Sequence, residues 1–259
     1  LALSNGVSLK LRFQARNPMA LKCMDRTSPN FGDRRDGTSI TMLVFHYTGM
    51  ENCESALAHL CDADAEVSAH LLIDEDGTAY RLVEDDRRAW HAGASFWRGE
   101  TDINSASIGI ELVNPGHEYG YKAFPQPQID ALIAFSQDLI SEYAIPATGV
   151  VGHSDIAPGR KSDPGELFPW KRIASSGIGL WPDLSDAGSR DVGTPWENLS
   201  KIGYARPGDR SYGGDLLNPG TAESDVISAF QARFTPHSVS GVLDDKTQHA
   251  IAAAARVYS

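Results

Sequence analysis

Ile40-Thr41-Met42-Leu43-Val44-Phe45-His46 is the stretch on which the reading of the fold turns. It is apolar and rich in β-branched and aromatic residues, with no polar alternation, as expected of a central strand covered on both faces. His46 closes the run and therefore sits at a sheet end, where a ligand site can open to solvent.

Residues 1–38 are polar and basic and read as an arm laid over a core that begins near Ile40. Downstream, Asn52 caps a helical stretch that ends near Cys61. Ala69 to Ile73 and Thr78 to Val83 read as strands joined by Asp74-Glu75-Asp76-Gly77, in which Asp-Gly supplies the positive φ of a tight hairpin. Ser107 to Leu112 alternates, with Ile108, Ile110 and Leu112 on one face and Gly109 and Glu111 on the other. Apolar residues between Pro127 and Tyr143 fall at helical spacing, and Val150-Val151 reads as one more short strand before His153.

Residues 39–182 are thus expected to form an α/β (α+β) domain, a mixed central sheet flanked by helices. Composition turns polar after Trp181-Pro182, so 183–205 reads as a linker. Residues 206–259 hold two amphipathic stretches, Ser224 to Phe234 and Asp245 to Val257, and are expected to form a small all-α domain. So short a unit leans on the first domain or on a ligand for its stability.

The net charge of −11 is uneven: residues 1–40 carry +4, residues 41–182 carry −12 and residues 183–259 carry −3. The middle segment repels phosphate backbones, which argues against a nucleic-acid partner. No apolar run is long enough to span a membrane. The first twenty residues never reach the apolar core of about seven to fifteen residues that an export signal needs. Cys23, Cys53 and Cys61 are an odd set without Cys-x-x-Cys spacing. Both features favour a cytoplasmic over a periplasmic or cell-wall location.

The richest local cluster runs from Gly152 to Gly165 and holds His153, Asp155, Lys161 and Asp163 on a backbone stiffened by Pro158, Gly159, Pro164 and Gly165. A catalytic zinc takes three N or O ligands and keeps one position for water. His46 and His153 with an aspartate would supply that set, and spacing alone leaves Asp155 and Asp163 in competition.

Val44-Phe45-His46-Tyr47-Thr48, Ser68-Ala69-His70-Leu71, Ala89-Trp90-His91-Ala92-Gly93, Ser107 to Glu111 and His153-Ser154-Asp155 through Lys161-Ser162-Asp163-Pro164-Gly165 occur in order. Together they resemble the zinc-dependent N-acetylmuramoyl-L-alanine amidases of the AmpD and AmiD type, from about Ser28 to Pro182. The resemblance implies Zn²⁺ on His46, His153 and Asp163, with Glu111 as the catalytic carboxylate and Lys161 as the cation beside the metal. It implies hydrolysis of the amide between N-acetylmuramic acid, or its 1,6-anhydro form, and L-alanine, with peptidoglycan or a muropeptide as the partner. Tyr47, Trp90, His91, Ala92 and Arg98 are expected to contact substrate, Trp90 packing a sugar and the Ala92 backbone pairing with peptide. His70 is assigned to the core or to support of a ligand, Asn104 to shaping its loop, and His59, His117, His237 and His249 to no special role.

Ala229-Phe230-Gln231-Ala232-Arg233-Phe234 and Gly241-Val242-Leu243-Asp244-Asp245-Lys246-Thr247 look like the signatures of small helical peptidoglycan-binding domains. Competing readings are a zinc-free muropeptide receptor, against which Asp163 and Lys161 speak, and a phage-type lytic amidase acting on intact wall.

Overall fold

Phe45 and its neighbours are buried on both sides because the strand they form lies inside a mixed sheet. The computed structural model describes residues 22–184, 193–210 and 217–259. Its strands are β1 (Cys23–Asp25), β2 (Phe31–Asp33), β3 (Met42–Tyr47), β4 (Leu71–Ile73), β5 (Ala79–Arg81), β6 (Arg87–Ala89), β7 (Ser107–Leu112) and β8 (Val150–Gly152). The main sheet has the order β1-β5-β4-β7-β3-β8, and β2 with β6 forms a small antiparallel ribbon. β3 runs parallel to both β7 and β8, and β7 parallel to β4.

Helices are α1 (Cys53–Leu60), α2 (Ile103–Ala106), α3 (Gly116–Tyr119), α4 (Gln126–Tyr143), α5 (His153–Ile156), α6 (Trp170–Ser175), α7 (Pro195–Ile202), α8 (Glu223–Phe234) and α9 (Asp245–Val257). No helix among the described residues is long and apolar enough to cross a membrane. One face of the sheet presents Leu43, Phe45, Ile108 and Ile110 to Ile129, Leu132 and Phe135 of α4. The other presents Met42, Val44 and Val151 to Ile156 and to Leu199, Ile202, Phe230 and Ile251 of the C-terminal helices. Two apolar layers on opposite faces explain the unbroken run at 40–45.

The mixed sheet and the hairpin agree with the sequence reading: β4 and β5 are antiparallel, and Gly77 turns with φ 86°. A Cβ at Gly77 would also stand 2.8 Å from the Pro127 carbonyl oxygen, so the residue answers a close approach as well as a turn.

Two boundaries differ from the sequence reading. Ordered structure starts before Ile40, because β1 pairs with β5 and β2 with β6. These three-residue strands are mostly exposed and too short to carry a period, yet β1 covers the open backbone edge of the hairpin. Residues 1–21 of the arm lie outside the described residues. Within 183–205, residues 195–202 form a helix rather than a linker, with Pro195 in its first turn and Leu199 and Ile202 fully buried. Residues 185–192 of that linker lie outside the described residues.

Since α8 shares one apolar cluster with β3 and β8, loss of a ring there should weaken the whole molecule. Phe230, fully buried, is the test. Phe230→Ala should lower stability by about 3–5 kcal/mol in a single thermal transition. A separate early transition of the C-terminal helices, with the remainder melting as before, would contradict the shared core.

Candidate metal and catalytic site

Parallel strands β3, β7 and β8 deliver their carboxyl ends to one side of the sheet, and the candidate site residues stand there. His46 and Glu111 are register partners on β3 and β7, so their side chains leave the same face as neighbours. β8 ends at Gly152 and hands over to α5, whose first residue is His153. The loop then returns Asp163, whose carbonyl accepts a hydrogen bond from the Ser154 N–H at 2.8 Å.

His46 Nδ1, His153 Nδ1 and Asp163 Oδ2 form a nearly equilateral triangle, with sides of 2.9, 3.0 and 3.1 Å. All three residues are buried. Hydrogen bonds on the far side of each ring decide what these corners carry. The Ser107 hydroxyl donates to the Ile103 carbonyl, so its oxygen must accept from His91 Nε2–H at 3.1 Å. His91 Nδ1 is then a lone pair and accepts from His46 Nε2–H at 3.0 Å, which leaves His46 Nδ1 as a lone pair as well. His153 Nε2 lies between the Ala92 carbonyl at 3.1 Å and the Arg160 guanidinium at 3.3 Å; donation to the nearer carbonyl puts the N–H there and turns a neutral ring's Nδ1 lone pair inward.

Burial, followed by the charge of His153, pulls the His46 pKa down to about 4, and burial holds His91 well below the ordinary histidine range. Burial alone would raise the Asp163 carboxyl, but its contacts with His153 and His46 outweigh that and hold it well below the usual carboxylate range. Two ring nitrogens and a carboxylate oxygen, all bearing lone pairs, thus converge on one point. Such a cluster repels itself unless a cation sits between. Ligand atoms on a tetrahedral zinc at roughly 2.0–2.1 Å stand roughly 3.3 Å apart, close to the triangle found. The donor set therefore fits zinc, and Asp163 takes the place for which Asp155 competed. Asp155 faces the other way and accepts from the Gly152 N–H at 2.8 Å.

Glu111 keeps one edge toward the cleft, while its Oε2 is buried with no hydrogen-bond partner. Burial, reinforced by the negative charge of Asp163 and opposed by Lys161, raises its pKa to about 8. Such a carboxyl is poised to exchange a proton near neutral pH. Lys161 is exposed and lines the same cleft of about 300 Å³ with Tyr47, Trp90, Glu111, His153, Arg160 and Asp163.

Tyr47, Trp90 and His91 line this cleft, and two other assignments change. His91 also stands behind His46, nearly buried, and orients its ring through the contact with Nε2. Its ring fits because residue 109 is glycine, where a Cβ would fall 2.5 Å from His91 Cγ. Ala92 has no backbone group free for a peptide: its N–H donates to Asn104 Oδ1, and its carbonyl accepts from Arg160 and faces His153. Arg98 turns to the C-terminal helices and donates to the carbonyls of Lys201 and Ile202. Asn104 shapes its loop as expected, taking the N–H groups of His91 and Ala92 on one oxygen. His70 belongs to the core, with Nδ1 accepting from the Gly109 N–H.

Two residues, one beside the cleft and one lining it, escaped the sequence reading. His117 stacks on Tyr121 at 4.3 Å, meets the Tyr47 hydroxyl through Nδ1 and pairs with Glu166 through Nε2 at 2.9 Å. Arg160 lines the cleft beside Lys161 and donates to the carbonyls of Ala92 and Ala94. No local motif marks His117. Arg160 had a signal, since it lies in the stiff Gly152–Gly165 loop.

The carboxyl end of the parallel sheet thus gathers two histidines and an aspartate that could hold a metal beside a glutamate with an orphaned oxygen, the arrangement of a hydrolase site. The chain matches the family model described as N-acetylmuramoyl-L-alanine amidase over residues 36–166. It is 40% identical to the N-acetylmuramoyl-L-alanine amidase AmiD of Escherichia coli K12 over 227 residues, 81% of this chain and 80% of that protein. It is 36% identical to the 1,6-anhydro-N-acetylmuramyl-L-alanine amidase AmpD of E. coli K12 over 163 residues, 56% of this chain and 87% of that one. Among solved structures, AmiD from E. coli in complex with anhydro-N-acetylmuramic acid-L-Ala-D-gamma-Glu-L-Lys superposes with a TM-score of 0.73 at 34% identity, covering 88% of this chain and 98% of that one. AmpDh3 of Pseudomonas aeruginosa with an anhydromuramic pentapeptide gives 0.72 at 30% identity, covering 88% and 94%. The chain belongs to the N-acetylmuramoyl-L-alanine amidase family.

Ser107→Ala or His91→Phe should weaken zinc binding by about 10–100-fold, because either frees the His46 tautomer. Unchanged affinity in competition with a chromogenic chelator would remove the relay from Ser107 to His46. Glu111 supplies a pH test in the metal-free protein. Its folded pKa of about 8 lies above the ordinary value of 4.5, so its contribution is fully present below about pH 4.5 and is lost as pH rises through 8. Glu111→Gln should therefore raise the melting temperature of metal-free protein at pH 9 and leave it nearly unchanged at pH 4. Equal effects at both pH values would show that the carboxyl is not perturbed.

Proposed function

We propose that this protein hydrolyses the amide between the lactyl carbonyl of N-acetylmuramic acid, or its 1,6-anhydro form, and the L-alanine nitrogen of a peptidoglycan stem peptide. The observation that carries this reading is the convergence of three lone-pair atoms beside an unpaired carboxyl in an open cleft. AmiD and AmpDh3, both seen with anhydromuramyl peptides, support the substrate class. The activity belongs to the breakdown and recycling of cell-wall muropeptides.

His46, His153 and Asp163 would hold Zn²⁺, which when bound supplies an acidified water and a Lewis acid for the amide carbonyl. Glu111 takes the proton of the attacking water. Its raised pKa then lets it return that proton to the departing alanine nitrogen, so that a neutral amine leaves. Lys161 presents an ammonium to the cleft and offsets the charge that develops on the carbonyl oxygen. Tyr47, held by His117 and by Ser162 at 2.9 Å, and Trp90 offer the apolar and hydroxyl surface against which a sugar or peptide is oriented. Bond cleavage releases a free peptide and a lactyl carboxylate.

Zinc-loaded protein should release stem peptide from anhydro-muropeptide, detected by mass spectrometry, with the release abolished by chelator and restored by zinc. Intact sacculi run in parallel measure the preference between fragment and polymer. Glu111→Gln should keep zinc and lose about 10²–10⁴-fold in turnover. Binding of the muropeptide without cleavage by zinc-restored wild-type protein would replace this reading with that of a receptor.

A further inference from the structure

Behind the metal triangle lies a second buried cluster, built from the corner between β8 and α5 and from the C-terminal helices. Asp155, two residues after His153 on α5, is 2% exposed. Its Oδ2 accepts from the Gly152 N–H and from Arg233 of α8, and its Oδ1 accepts from the Tyr204 hydroxyl that follows α7. Arg233 is likewise 2% exposed. Its second nitrogen donates to the Val150 carbonyl at 3.0 Å, and its guanidinium lies over the Trp170 ring at 4.1 Å. One side chain from a C-terminal helix therefore spans the corner between β8 and α5, where His153 sits. A buried carboxylate requires an opposite charge and good hydrogen bonds to be tolerated, and among the described residues Arg233 is its one ion-pair partner.

We propose that Arg233, assisted by Tyr204, is a positioning residue for the metal ligand His153, so that the C-terminal helices complete the metal centre from behind. Loss of the guanidinium leaves the Asp155 charge uncompensated. The carboxylate must then turn or take up water, and either response loosens the turn that aims the His153 ring. The triangle tolerates little of this, since its three atoms must stay within bonding reach of one ion. Ser154 also ties this turn to Asp163 through its N–H, so the disturbance reaches a second ligand. The inference rests on the reading of His46, His153 and Asp163 as a zinc site.

The test is a zinc titration of full-length metal-free protein against a competing chelator, at a temperature where circular dichroism shows each variant folded. Wild-type protein is measured first, and its failure to bind zinc overturns the metal reading itself. Arg233→Met should weaken zinc binding about tenfold or more, Arg233→Lys should restore part of the loss, and Tyr204→Phe should weaken it several-fold. Phe230→Leu, on the same helix and in the same core but at a side chain with neither charge nor hydrogen bond to offer Asp155, should bind zinc within about twofold of wild type. A merely structural docking role predicts lowered melting temperatures for all of these variants and no separate change in zinc affinity. Zinc binding by Tyr204→Phe and Arg233→Met within about twofold of wild type overturns the proposal, and should Arg233→Met not fold, Tyr204→Phe decides alone.

Discussion

Three lone pairs held about 3 Å apart away from water are the constraint on which the structure around them depends. Left alone they repel, and a cation shared among them turns the repulsion into coordination. Holding them ready requires each ring to have its proton on the opposite nitrogen. That requirement is met by a hydrogen-bond chain anchored on the Ile103 backbone carbonyl and passed through Ser107 and His91, with the Ala92 carbonyl serving His153. The backbone ends of these chains are rigid, which makes the tautomers a property of the fold.

Catalytic potential arises from the contrast between neighbouring carboxyls. Asp163 is drawn down by two histidine partners, while Glu111, one strand away, has an orphaned oxygen and a raised pKa. The sheet produces this contrast cheaply: parallel register places Glu111 beside His46, and the loop after α5 brings Asp163 in from the other side. One carboxylate is thereby suited to binding a metal and the other to moving a proton.

The helices after residue 193 have two separable aspects. Of the residues that resemble peptidoglycan-binding signatures, Gln231 braces the unit's own scaffold, accepting from the N–H groups of Ser240 and Gly241 while donating to Val242 and Thr247, whereas Phe230 and Arg233 reach the core shared with the sheet. The faces that meet the sheet are a different matter. They contribute apolar contacts to Val44, Val151 and Ile156 together with the single buried guanidinium over Trp170.

Much of the fold was legible in local pattern. The unbroken run at 40–46, the Asp-Gly turn and the alternation of 107–112 each follow from the period at which side chains face a core or water, and that period is written in sequence. The five motifs carried the family and named the three residues that the fold brings together. The short strands β1 and β2 were not legible, since three residues hold no period, and the helix at 195–202 was masked by the polar composition around it. The roles of His91, Ala92, Arg98 and His117 were decided only by tertiary structure. Each depends on which donor or acceptor a distant segment brings within about 3 Å, and hydrogen bonding is directional and short-ranged in a way that chain spacing does not encode. Sequence alone determined which chemistry this protein carries; the fold decided which side chains face the reaction and which hold the others in place.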